Sequence, residues 1–168
     1  MLTMYDATIP PLKRALKNLS SILKKGEEHA DANKIEHGVL LNARLFPDMY
    51  PLTRQVQIAT DMSKGAAARL ASLEIPKYDD TETTFAELQA RITKTLTFID
   101  SIKPAQFDGS ENREITITVR KIELKFIGQD YLLAWVSPNV YFHVTTAYNI
   151  LRHNGVSLGK SDFLGPRA

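Results

Sequence analysis

Polar side chains that fall on otherwise apolar helical faces are the first place to look for chemistry. Towards the C-terminus, Val140, Val144, Ala147 and Leu151 repeat at helical spacing, and Asn139, His143, Thr146 and Ile150 form the stripe beside them. His143 therefore stands at a core edge with two polar companions. An imidazole so placed serves as a metal ligand, a general base or a structural hydrogen-bonding group, the last being the commonest. Earlier in the chain, Leu52, Ala59, Ala66 and Leu70 define an inward direction. Asp48 and Gln55, seven residues apart, lie beside that direction, while stepping by 100° turns Gln57 and Asp61 away from it. Asp48 reads as a helix cap or a site residue, and Gln55 as a boundary residue or a ligand. Tyr131, Trp135, Tyr141, Phe142 and Tyr148 gather around the start of the last helix. Aromatic residues are core material first. Beside Asn139 and His143 they would also line an apolar pocket with a few polar groups, the usual form of a small-molecule site.

The other histidines suggest less. His153 lies near a helix end, where a cation meets the helix dipole favourably. His29 and His37 stand in polar surroundings and read as surface residues. Neither HExxH nor a pair of histidines four apart occurs, and there is no GxSxG, P-loop or GxGxxG. With no cysteine, disulfides, thiolate metal sites and a cysteine nucleophile are excluded. The 21 basic and 19 acidic residues leave a net charge of +2 with no basic stripe, so nucleic acid is not an expected partner. No apolar run approaches the ~20 residues needed to span a bilayer, so no membrane partner is expected. The opening MLTMYDATIPPLKRALKNL has no charged start followed by an apolar block, so a secretory signal is not expected either. One cytoplasmic domain covering 1–168 is the expectation.

The elements that must position these residues follow from periodicity. Tyr5, Ile9, Leu12, Leu16, Leu19 and Leu23 trace one face of a helix from about Leu2 to His29. Pro10-Pro11 interrupt it; the stripe keeps its phase across them, which favours one kinked helix over two. After a polar stretch, Leu40-Leu41 and Leu45 open a second helical region. Phe46-Pro47-Asp48 bends or restarts it, and it continues to about Ser72. Thr81 or Thr83 is placed to cap a third helix carrying Phe85, Leu88, Ile92, Leu96, Ile99 and Ile102, and Pro104 stops it. The period then changes to two. Ile115, Ile117 and Val119, then Ile122, Leu124 and Phe126, predict a hairpin about Arg120-Lys121, with an unpaired extended arm as the alternative. Ser137 is a candidate N-cap, with Pro138 at the first helical position. Asn139 to His153 is the last helix, closed by Asn154-Gly155. In the polar tail, Phe163-Leu164 are placed to dock. The expected fold class is all-α: a four-helix bundle with a small β-hairpin inserted before the last helix.

The run from Pro138 to Gly155, PNVYFHVTTAYNILRHNG, followed by GKSDFLG at 159–165, resembles the C-terminal signature of an uncharacterised DinB-like family. LLNARLFPDMYPL at 40–52 and QVQIATD at 55–61 resemble its second-helix signature. The similarity spans essentially the whole chain and implies a DinB-like four-helix bundle. The wider superfamily includes proteins with a three-histidine metal site and thiol-dependent transferases. The resemblance places the ligand pair of the last helix at Asn139 and His143, and the second-helix ligand nearest Gln55. Only His143 of these three is an imidazole, which argues against a divalent metal and the transferase chemistry that depends on it.

The leading expectation is a small-molecule pocket between the second and last helices, lined by Asp48, Gln55, Trp135, Asn139, Tyr141 and His143. The alternatives are a transferase or isomerase using His143 as acid/base, and a non-catalytic dimerisation module pairing as a homodimer. No cofactor is expected. The set Gln55, Asn139 and His143 is a weak one for zinc or nickel, because amide oxygens are poor donors to these ions. The purified protein should carry no stoichiometric transition metal. Elemental analysis finding about one zinc or nickel per chain after mild dialysis would overturn this.

Overall fold

The computed structural model describes residues 2–166. The first apolar stripe becomes α1, Met4–Ala32, which runs through Pro10 and Pro11 as one helix. Thr3 caps it: its hydroxyl accepts from the Asp6 backbone N–H, and the Asp6 carboxylate reaches back to Thr3. A short helix α2, His37–Leu41, and an irregular turn through Phe46-Pro47-Asp48 precede α3, Leu52–Leu70. α4 is Phe85–Asp100. Its N-cap is Thr84, in place of the expected Thr81 or Thr83. The Thr84 hydroxyl accepts from Glu87 N, while the Thr83 N–H donates to the Glu87 carboxylate. Pro104 stops α4 as expected and opens a 3-10 turn, Pro104–Phe107.

The hairpin forms as predicted. β1, Glu114–Val119, pairs antiparallel with β2, Ile122–Ile127, in a register that sets Ile115 opposite Phe126 and Ile117 opposite Leu124. Arg120 and Lys121 both adopt positive φ, 49° and 70°. That is the backbone of the two-residue turn that matches strand twist, reached here without glycine. Ile115 and Ile117 are buried against the bundle.

The start of the last helix differs from expectation. Ser137 is not an N-cap. The helix begins at α5, Gly128–Asp130, passes through a π-helical segment, Tyr131–Val136, and continues as α6, Ser137–His153. Pro138 has no N–H to donate to the preceding turn, and the wider register absorbs the loss. The Ser137 hydroxyl donates to Leu132 O at 2.9 Å, and the Asn139 amide donates to Trp135 O at 2.7 Å. At the other end Asn154-Gly155 closes α6 as predicted. Gly155 has φ +91°, and Val156 N–H donates to Leu151 O. A final helix, α7, Lys160–Leu164, docks on α1: Arg14 and Asn18 donate to the carbonyls of Leu164 and Phe163. Residues 1, 167 and 168, the last two belonging to the predicted tail, lie outside the described residues.

Side-chain pairings fix the helix directions. Gly26 faces Phe85, Ser20 bonds Gln89 and Lys13 pairs with Asp100, so α1 and α4 are antiparallel. Gln55 meets His143 and Arg69 meets Tyr131, so α3 and α6 are antiparallel. His29 lies beside Gly155, at the far end from the Tyr5–Phe107 contact, and α1 and α6 run together. The course is up, down, down, up. Consecutive helices α3 and α4 are therefore parallel, and residues 71–84 must travel back along the bundle.

That return strand overturns one expectation. Gln57 does not point to solvent, and Asp61 is only half-exposed beside Arg91. Gln57 is 4% exposed, covered by the crossing segment and bonded to Glu82 and Arg54. Arg91, also 4% exposed, collects the same segment: it pairs with Asp61, Asp80 and Glu82 and donates to Asp79 O. Burial works against its charge, but the Glu82 bond and the nearby carboxylates outweigh it and hold its pKa above the ordinary guanidinium value.

Leu16 and Ile92, mid-stripe on α1 and α4, are 0% and 1% exposed. Truncating either to Ala should cost ~2–5 kcal/mol. Denaturant melts of Leu16→Ala or Ile92→Ala showing a loss below about half a kcal/mol would contradict this packing.

Candidate functional site

α3 and α6 cross so that Gln55, in the first turns of α3, faces His143, midway along α6. Both are buried, at 2% and 9% exposure. The Gln55 side-chain amide donates to Tyr50 O at 2.9 Å. That bond orients the amide, leaving Oε1 towards the imidazole, 2.7 Å from His143 Nδ1. An amide oxygen can only accept, so the imidazole proton is on Nδ1 and Nε2 carries the lone pair. Nε2 has no hydrogen-bond partner among the described residues, yet it is not one of the buried, unpartnered atoms. The lone pair thus faces a route to solvent. A hydrogen bond that fixes one ring nitrogen in this way is how proteins aim the other at a metal, a ligand proton or a substrate.

Electrostatics keep that ring neutral. Burial, and secondarily the positive charge of Arg54, lower the His143 pKa from 6.5 to about 4. Arg54 is held by Gln57 at 3.1 Å and by Asp80 of the crossing segment. At neutral pH His143 is a hydrogen-bond acceptor or neutral donor atom, and a weak base. The ring of Phe142 stands edge-on to it at 5.2 Å.

The other expected site residues are dispersed. Asn139 lies one turn before His143, but its amide is taken by Trp135 O of the π-helical segment. Trp135 is half-buried against Phe126 of the hairpin, with ring centroids 5.8 Å apart. Asp48 is exposed in the turn before α3 and caps no helix; Pro51 occupies the N-cap position. Tyr141 is two residues from His143, which turns it to another side of α6. There it borders a groove with Pro11, Arg14 and Phe163. His37 is not a simple surface residue: its ring packs edge-on against Phe85 at 5.3 Å and bonds Asp31. His29 is half-buried, with its ring nitrogen near Asn33, and His153 is exposed in the last turn of α6. Among the described residues, no three His, Cys, Asp or Glu side chains gather as a metal site.

Sequence reasoning passed over Arg54 and the Tyr50 carbonyl. The carbonyl left no signal in the sequence. Arg54 left a faint one, as a cation beside Gln55 in the first turn of α3. Arg91 left a clearer one: it sits at helical spacing between Leu88 and Thr95, on the apolar face of α4.

The profile of a family described as "Domain of unknown function (DUF1993)" matches residues 4–164. The chain belongs to this family. Among solved structures it is similar to a DinB family member protein from Shewanella denitrificans, with 43% sequence identity and a TM-score of 0.92. That likeness covers 98% of this chain and 93% of the other. No curated protein matches the sequence. The DUF1993 chain is therefore a DinB-like helical bundle with an inserted hairpin, as its signature segments implied. Among the described residues no helix is long and apolar enough to cross a membrane.

The neutral imidazole gives this fold a pH dependence. Between pH 6.5 and about 4 the unfolded chain takes up a proton that folded His143 refuses. Stability should therefore fall as pH drops through that window, by about 3 kcal/mol once below both values. The stability difference between the wild type and His143→Gln, measured by urea melts from pH 7 to pH 4, isolates this contribution. A difference that does not change with pH would show that His143 is not held neutral by burial.

Proposed function

We propose that this DUF1993 chain binds a small molecule at the junction of α3 and α6, and that the His143 Nε2 lone pair accepts a hydrogen bond from it. The observation that carries the reading is the orientation of the imidazole. Tyr50 O fixes Gln55, Gln55 fixes the proton on Nδ1, and Nε2 is left without a partner among the described residues. A histidine shut wholly inside the core would need protein partners for both nitrogens, whereas here Nε2 is open to a partner from outside. The partly exposed rings of Tyr50 and Phe142 and the half-buried Trp135 supply apolar surface on the flanking segments. Asn139 and Asp48 play supporting parts at most, since one is bonded within its helix and the other stands in solvent.

The low proton affinity of His143 favours binding over acid/base catalysis. A base whose conjugate acid has a pKa of about 4 is available at neutral pH but has little drive to take a proton. Metal chemistry would require two further strong donors; Gln55 Oε1 is taken by His143, and Asn139 offers only an amide oxygen, a weak donor to such ions.

His143→Gln tests the reading. A thermal-shift screen of small polar metabolites first supplies a ligand. The variant should then bind the best hit ~1–3 kcal/mol more weakly, because one hydrogen bond is lost or left unsatisfied. Its stability at pH 7 should change far less than that of Leu16→Ala. Strong destabilisation with unchanged affinity for the hit would make His143 a structural residue and remove the site.

A further inference from the structure

The end of the bundle remote from His143 carries a second concavity. It lies where the start of α1 meets the 3-10 turn after α4 and the first turns of the last helix, and it encloses about 840 Å³. Its walls are apolar and aromatic. Tyr5 and Phe107 meet edge to face at 5.5 Å, and Met4, Leu132 and Leu133 complete the lining. Leu133 is 57% exposed, although it sits on the same helix as the fully packed Val136 and Val140. The charged residues of the lining are Asp108 and Glu111. Neither carboxylate is in a salt bridge or side-chain hydrogen bond among the described residues. Arg113, the nearest guanidinium, reaches only the backbone carbonyl of Asp108, at 3.5 Å, and is otherwise spent on Leu70 O at the end of α3.

An apolar cleft with aromatic walls and two carboxylates, lined by no cation among the described residues, has a definite complement. We infer that it takes an organic cation, an alkyl chain or apolar body carrying one ammonium group. The apolar body would lie along Leu132 and Leu133 with the ammonium between the carboxylates and the aromatic wall that Tyr5 and Phe107 contribute. Aromatic faces attract alkylated ammonium groups electrostatically, and such ions lose less hydration on burial than a primary amine. Anions of the same size would face two like charges. The two carboxylates sit on one short turn, so their separation is set by local backbone and not by the helix packing that forms the His143 site. A ligand here would leave the His143 site unoccupied.

Titration with three probes of equal chain length, octyltrimethylammonium, octanol and octanoate, decides the matter when followed by methyl NMR of Leu132 and Leu133. The cation should bind saturably and about tenfold more tightly than the alcohol, and octanoate more weakly still. Asp108→Asn combined with Glu111→Gln should erase the preference of cation over alcohol. Both positions lie outside the core, so the fold should survive. Leu133→Lys, at an exposed position, places a competing cation in the cleft and should abolish cation binding while leaving the melting temperature near that of the wild type. Equal binding of all three probes would overturn the inference and leave a generic apolar patch. So would methyl shifts that depend on protein concentration without any probe, which would mark a contact between copies of the chain.

Discussion

A guanidinium shut away from water must keep its anions, and in this protein that requirement ties the bundle together at Arg91. The up-down-down-up course makes α3 and α4 parallel neighbours, so the segment between them has to cross back over the pair. An irregular segment laid on a bundle carries backbone groups and charges that need partners. Arg91 provides them, holding Asp79 O, Asp80 and Glu82 from the crossing segment and Asp61 from α3. Removing the guanidinium would strand carboxylates that are now partly buried, which is the costly way to break an ion pair. Tyr78 completes the arrangement, its ring lying beneath the cations of Lys64, Lys94 and Arg91.

The same network reaches the candidate site. Asp80 binds both Arg91 and Arg54, and Gln57 bonds both Glu82 and Arg54. Arg54 is therefore fixed at the start of α3, and its charge adds to burial in keeping His143 neutral. The crossing segment thus does more than connect helices. Through Asp80 and Arg54 it tunes the proton affinity of an imidazole on a helix that is not its sequence neighbour.

A second local constraint is proline in the last helix. Pro138 removes one backbone donor just before the site. The π-helical register of Tyr131–Val136, with Ser137 and Asn139 bonding back to Leu132 and Trp135, meets that loss. The consequence for chemistry is concrete: the NH2 of Asn139, which stands at the family's ligand position by resemblance, is bonded within its own helix and fixes the direction of the amide. Gly128 begins this irregular stretch at a close approach, since a Cβ there would come within 1.8 Å of Ser110 O. The turn that leads into the hairpin and the start of the last helix are therefore in close contact.

The sequence alone determined whatever depends on local periodicity and local capping. The stripe through Leu16, the stripe through Ile92, the alternation from Ile115 to Phe126 and the Asn154-Gly155 stop all appear where their spacing placed them. Gln55 and His143 both fall beside the apolar faces of their helices by spacing alone; that they bond to each other is a tertiary result. Tertiary structure decided the rest, through contacts between residues far apart in the chain. Gln57 and Asp61 step away from the core of their own helix, yet the returning segment 71–84 covers Gln57 and Arg91 of α4 claims Asp61. Tyr141 and Asp48 read as neighbours of the site, yet the angular position of one and the irregular turn holding the other take them elsewhere. The proton on Nδ1, the lone pair on Nε2 and the depressed pKa depend on a backbone carbonyl and a guanidinium that no local pattern ties to His143. A helix period tells which residues face inward; only the packed neighbours decide what they face.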